Sequence, residues 1–274
     1  MVGILKKSHF YKCFTIHADS KVKYARLIVL GSSRALTGID TKTLGDSLHL
    51  KAYNLAMDDT KLSLHKVLLE ELLKEGSRPK ILILAYDNMS DSSEMSSNDW
   101  RMLPLIHSSQ FVSDYMKQYH GMIETNAYKY FPFLYFGKYN TELFFPAFTA
   151  LIKPTYTYRA NAIGDYQYPE TIKIDSAAFN FLQKNTRTVQ LSWNNPDLLA
   201  IEKLCVAYNI QLILYLAPVA GQEREISGKD LFVINASSIL SAQPQCFADS
   251  IHVNTIGRAA ATRFLIDQLR LGKQ

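Results

Sequence analysis

Short apolar runs that stop at small or turn-forming residues recur along the chain. Ala25 to Leu30 reads Ala-Arg-Leu-Ile-Val-Leu and stops at Gly31, and similar blocks cover 51–55, 80–84, 211–216 and 231–235. Blocks of this length, rich in branched aliphatics, fit strands covered on both faces, as in a parallel sheet. Between them, apolar residues return every three to four positions over 36–47, 60–73, 196–208 and 255–271. In the last of these stretches Ala260, Phe264, Leu265 and Leu269 share one helical face. The alternation predicts an α/β fold, a five-stranded parallel sheet between helices, with ligands held at the carboxyl ends of the strands.

The alternation breaks over about 89–195, too long for an ordinary connection. Tyr and Phe crowd this span, including Tyr128, Phe131, Phe133, Tyr135, Phe144, Phe145, Tyr166 and Tyr168, with prolines at 132, 146, 154 and 169. The pattern predicts one domain over 1–274 carrying a mainly helical, aromatic-rich insertion. Its rings can fill a core of their own, line the cleft above the strand ends, or, around Phe144–Leu151, form a face that rests on a membrane.

At 274 residues and 47% hydrophobic content, the chain has enough apolar material for a full core. The three cysteines, at 13, 205 and 246, have no disulfide or metal-ligand spacing and read as unpaired thiols. A net charge of +5 comes from scattered Lys and Arg rather than a dense basic run, which argues against nucleic acid as a partner. Lys6-Lys7 has no long apolar stretch behind it, so no signal peptide is read, and no window is apolar enough to span a bilayer.

Candidate chemistry sits near the two ends. Gly31-Ser32-Ser33 follows the first apolar block and precedes a helix, where a serine hydroxyl can be exposed beside unpaired backbone N–H groups. Ser33 has the context of a nucleophile. Ser32, in the middle of the turn, is better placed to bond backbone. A plain turn with a helix-capping serine is the simpler alternative. A phosphate-binding turn lacks its glycines and its Gly-Lys-Ser/Thr. Gly45-Asp46-Ser47-Leu48 spells a known hydrolase signature, yet Ser47 precedes the second strand, at the wrong edge of the sheet. Asp249 and His252 lie just before the last helix, where a carboxylate can orient an imidazole that takes a serine proton.

Gly31-Ser32-Ser33, Tyr53-Asn54-Leu55-Ala56, Leu216-Ala217-Pro218 and Asp249-Ser250-Ile251-His252 resemble, in order, the blocks of the SGNH/GDSL hydrolase superfamily, most closely its divergent bacterial envelope branch. The resemblance implies a flavodoxin-like three-layer α/β/α fold, no metal or cofactor, and a Ser-His-Asp triad acting on esters, often O-acetyl groups of carbohydrates. By position it makes Ser33 the nucleophile, His252 the base and Asp249 its orienter, with Ser33 and Ala56 N–H groups as oxyanion donors and Asn54 beside them. The third block departs from the family. Asp87 stands where the family has an oxyanion-hole Asn, with Asn88 next to it. Asn88 can take over, Asp87 can turn aside toward a substrate hydroxyl, or the protein is a catalytically impaired carbohydrate-binding module. The resemblance also implies a cell-envelope location if an anchor precedes this chain, and a cytoplasmic one otherwise.

Overall fold

The computed structural model describes residues 1–87, 94–227 and 232–271. The strands among them are β1 (Leu27–Leu30), β2 (Ala52–Asn54), β3 (Ile81–Ala85), β4 (Arg187–Ser192), β5 (Gln211–Leu216), β6 (Gln222–Ser227) and β7 (Val233–Asn235). Five of them form an all-parallel sheet in the order β2-β1-β3-β5-β7. Numbered within that sheet alone, the order is 2-1-3-4-5, the flavodoxin-like arrangement, whose switch point lies between β1 and β3. Val29 pairs with both Asn54 and Ile83, so the loops leaving β1, β2 and β3 start at nearly the same level.

The period of two along each strand sorts side chains into two layers. Leu27, Val29, Ile81, Ile83, Ile213 and Tyr215 pack with Ala35, Leu36, Leu44, Leu265 and Leu269 from helices Ser33–Gly38, Thr41–Leu48 and Thr255–Leu271. Ile28, Leu30, Leu82, Leu84, Leu214 and Leu216 face the other way, onto helices Leu62–Lys74 and Pro196–Ala207. The central strands β1 and β3 are buried along their whole length, so each Leu or Ile there contributes about 1.5–3 kcal/mol of transfer free energy. The three cysteines are buried and unpaired.

Three features depart from the sequence reading. The predicted helix over 36–47 is two helices, because Ile39 is extended (φ −117°, ψ 125°) and Asp40 caps the second by accepting from the Thr43 N–H at 3.0 Å. Helices Val2–Lys6, Lys12–Ala18 and Ser20–Lys23 precede β1, and Leu5, Phe14, Ile16 and Val22 join the main core. β4, near the end of the predicted insertion, pairs in parallel with β6 as a second small sheet. Leu231, at the start of the fifth predicted strand, lies outside the described residues.

The insertion is mainly helical, with helices Gln110–Tyr130, Phe133–Lys138, Phe145–Ile152 and Ser176–Lys184. Its aromatics divide three ways. Tyr128, Tyr135 and Phe136 are buried in the core, Tyr166 and Tyr168 reach the strand ends, and Phe131, Phe133, Phe144 and Phe145 are exposed. Phe10 and Tyr11 pack against Tyr158, tying the N-terminal helices to the insertion. Among the described residues, no helix is long and apolar enough to cross a membrane.

Candidate active site

β1 must turn sharply at Gly31 to open the next helix. Gly31 has φ +150°, and a Cβ there would lie 2.8 Å from the Cβ atoms of Ala35 and Ala85. Its carbonyl accepts from the Met57 N–H at 3.0 Å, which ties the turn to the loop after β2. Ser33 then begins helix Ser33–Gly38, so its N–H has no intrahelical acceptor. Ser32 is buried, and its hydroxyl has no hydrogen-bond partner and does not cap the helix. The expected bond from Ser32 to backbone is therefore not made.

Ser33 Oγ lies 2.8 Å from His252 Nε2, across 219 residues of sequence. His252 Nδ1 lies 2.9 Å from Asp249 Oδ2, while Asp249 Oδ1 accepts the N–H groups of Ile251 and His252 at 2.8 Å each. A carboxylate facing Nδ1 keeps the proton on that nitrogen and leaves Nε2 to accept from the serine hydroxyl. Burial works to raise the Asp249 pKa, but the bonds from His252 and the Ile251 backbone outweigh it and hold the carboxyl below its usual range. The loop is fixed beyond the pair as well. Asn254 Oδ1 accepts from the N–H groups of Ile256 and Gly257, and a Cβ on Gly257 would meet the Cys246 carbonyl oxygen at 2.1 Å.

The second loop is held from the insertion. Asn54 is fully buried, donating to the Ala35 carbonyl (3.2 Å) and to Asp165 Oδ1 (3.1 Å) while its Oδ1 accepts from the Ala56 N–H at 3.0 Å. The Ala56 N–H, an expected oxyanion donor, is thus engaged by Asn54. Lys12 Nζ donates to the Ala56 carbonyl at 2.6 Å. Asp165 Oδ2 accepts from the Thr41 N–H (3.0 Å) and from Arg258 Nη2 (2.7 Å). Gly164 packs so closely that a Cβ would lie 2.0 Å from the Asn54 carbonyl oxygen. Lys12, Asp165 and Arg258 carry no local motif, and only their contacts reveal them.

Asp87, after β3, turns aside as one of the sequence alternatives allows, but toward protein rather than an open cleft. Its carboxylate receives Arg34 Nε at 3.0 Å and Nη2 at 2.6 Å, with both side chains buried. Arg34 directly follows Ser33, so the buried pair braces the turn that carries the serine. Arg224, 1% exposed, donates from Nη1 to the Ala217 carbonyl at 3.0 Å, leaving Nε and Nη2 without partners. Burial, then repulsion from Arg34, pushes its pKa down to about 10 against the pull of Asp87. Asn88 lies outside the described residues.

Ser47 sits in helix Thr41–Leu48, away from these loops, and its carbonyl accepts from Arg270 at 3.1 Å. Gly45 of the same signature is a packing glycine, since a Cβ there would lie 2.7 Å from the Leu50 carbonyl oxygen and 2.9 Å from Ala52 Cβ. His65 is buried against Thr60 Oγ1 (2.9 Å), and burial lowers its pKa to about 4. His17, with Glu71 and Glu75, is the one potential metal cluster among the described residues, but its two ring nitrogens face different carboxylates (3.4 and 3.1 Å).

Around the Ser33–His252–Asp249 chain, the Tyr168 ring lies 5.5 Å from the His252 ring, and the Thr255 hydroxyl donates to the Tyr168 carbonyl at 2.8 Å. A groove of about 460 Å³, lined by Ile174, Phe181, Leu182 and Ala248 among others, runs beside Asp249 and Ser250. The arrangement can move a proton from Ser33 to His252 while holding the resulting charge against Asp249. Set against known proteins, the chain matches no family model and no curated protein.

Proposed function

We propose that the protein is a serine esterase or O-acyltransferase acting on an O-acylated, most simply O-acetylated, carbohydrate. The observation that carries this reading is the continuous Ser33 Oγ–His252 Nε2–Asp249 relay, with contacts of 2.8 and 2.9 Å. As Ser33 Oγ attacks the acyl carbonyl, its proton passes to His252 Nε2, and Asp249 stabilises the imidazolium. The tetrahedral oxyanion is met by the Ser33 N–H, joined by the Ala56 N–H once that group is released from Asn54. Collapse breaks the bond to the leaving sugar oxygen, which takes the proton from His252 and leaves an acyl-serine. Water gives hydrolysis and a second sugar hydroxyl gives transfer, each activated by His252 in turn. Tyr168 beside His252 supplies an apolar ring face against which a sugar can stack.

A second reading, a carbohydrate-binding module with impaired catalysis, is favoured by the Ala56 N–H being bound to Asn54 and by the absence of an Asn at position 87. A fluorophosphonate probe separates the two. The esterase reading expects stoichiometric labelling at Ser33, lost in Ser33→Ala and in His252→Ala. Wild-type protein that is folded yet unlabelled refutes it and leaves the binding module.

A further inference from the structure

We propose that the exposed face of helix Phe145–Ile152, continued by Phe131 and Phe133, docks on an anionic lipid surface. The helix is amphipathic in the opposite sense to a core-packing helix. It turns Ala147 (1% exposed) and Ala150 (2%) inward with Pro146, and presents Phe145 (58%), Phe148 (59%), Leu151 (62%) and Ile152 (72%) to solvent. The spacing of three to four residues puts these four on one stripe. The stripe extends laterally, since Phe133, Phe144 and Phe145 line one apolar groove of about 690 Å³ with Val2, and the ring pairs Phe131–Phe133 and Phe144–Phe145 lie 6.1 and 5.7 Å apart.

The surrounding charge points to the occupant. Lys153 follows the stripe, Lys6 and Lys7 end the helix that begins at Val2, and Lys129 lies beside the exposed Tyr130 and Phe131. Residues 122–153 contain no Asp, and of their two glutamates Glu124 is bound to Lys138 at 2.9 Å. Lysines around protruding phenylalanines match a bilayer interface, where rings enter the acyl boundary and ammonium groups meet anionic headgroups. A protein partner is a poorer match, because protein interfaces are depleted in Lys. The face is independent of Ser33 chemistry.

The test is co-sedimentation with phosphatidylcholine vesicles, with and without phosphatidylglycerol. Wild-type protein is expected to sediment with the phosphatidylglycerol vesicles and to be released by salt. The triple variant Phe145→Ser/Phe148→Ser/Leu151→Ser should lose partitioning by about tenfold or more. Lys6→Glu/Lys7→Glu/Lys153→Glu should lose it selectively for the anionic vesicles, and both variants should keep the wild-type circular-dichroism spectrum. Val206→Ser, on a helix packed against the main sheet and 75% exposed, should bind as wild type. Three results overturn the proposal: wild-type protein that stays in the supernatant with both vesicles, charge-reversed protein that binds unchanged, or self-association in sedimentation velocity that the triple variant abolishes. The last would assign the face to a second copy.

Discussion

Asp87→Asn tests how charge is balanced beneath the serine turn. The substitution keeps volume and shape but removes the carboxylate that receives two Arg34 donors at 3.0 and 2.6 Å. It also removes the negative charge that offsets Arg224, whose Nε and Nη2 are already without partners. Removing one member of a buried ion pair costs about 3–5 kcal/mol, because the survivor stays buried without its counter-charge. With the carboxylate gone, the repulsion between Arg34 and Arg224 is no longer offset, so Asp87→Asn belongs at the upper end, about 5 kcal/mol. Arg34→Met is milder, about 3 kcal/mol on the same scale, because Asp87 keeps the attraction of Arg224. The double variant should lose less than the sum by about 2 kcal/mol or more, the mark of a direct pair. Urea unfolding followed by Trp100 and Trp193 fluorescence reads all three. Equal losses from both single variants, or additive losses in the double, would refute the asymmetry and with it the role of Arg224. Turnover of a small aryl acetate by folded Asp87→Asn should fall, since Arg34 adjoins Ser33 in the chain. A rise in kcat would mean that the carboxylate faces the developing oxyanion.

Other substitutions probe the same frame. Ser47→Ala should leave aryl acetate turnover unchanged, whereas Gly45→Ala should cost about 1–3 kcal/mol in urea because its Cβ meets the Leu50 carbonyl oxygen at 2.7 Å; lost turnover in a stable Ser47→Ala variant would contradict the site. Gly31→Ala combines a positive φ with two Cβ contacts at 2.8 Å, so it should lower stability by about 2 kcal/mol or more and abolish probe labelling, and a stable, labelled variant would show that the turn has another conformation. Burial pushes the Lys12 pKa down to about 7 against the pull of Asp165 and Asp58. From there to the ordinary 10.5, the unfolded chain binds a proton that the folded chain lacks, so stability rises with pH across this window and the deficit is fully present below it. Lys12→Met should therefore raise the urea midpoint more at about pH 6 than at about pH 10; an equal change at both would refute the buried cation.

The sheet was legible because burial on both faces turns each strand into an apolar block, as in Leu27–Leu30 and Ile81–Ala85. Gln211–Leu216 and Thr255–Leu271 were read to the residue, since flanking turn and capping residues mark their ends. Asp40 was not read as a break, because a helix cap inside an apolar period looks like an ordinary polar position. β4 was missed for a related reason. It is largely exposed and pairs with β6, so its alternation is weak. At the candidate site, Ser33, Asp249 and His252 were legible from their local context taken together and from the resemblance of their blocks to a known family. The Arg34–Asp87 pair and the Asn54–Asp165–Arg258 network were not, because neighbours across 53, 111 and 93 residues leave no spacing to read.

The separation of 219 positions between Ser33 and His252 also bears on when their contact can form. The serine turn leaves the ribosome 219 residues ahead of its imidazole partner. A nascent or prematurely ended chain can therefore build much of the sheet around β1 and still present Ser33 as an ordinary hydroxyl. Chain closure, which is slow when contacts are this distant in sequence, becomes the event that sets Ser33 against His252. A cut in an exposed loop of the insertion leaves Ser33 and His252 on separate fragments, so the contact then survives only while packing holds the two pieces together.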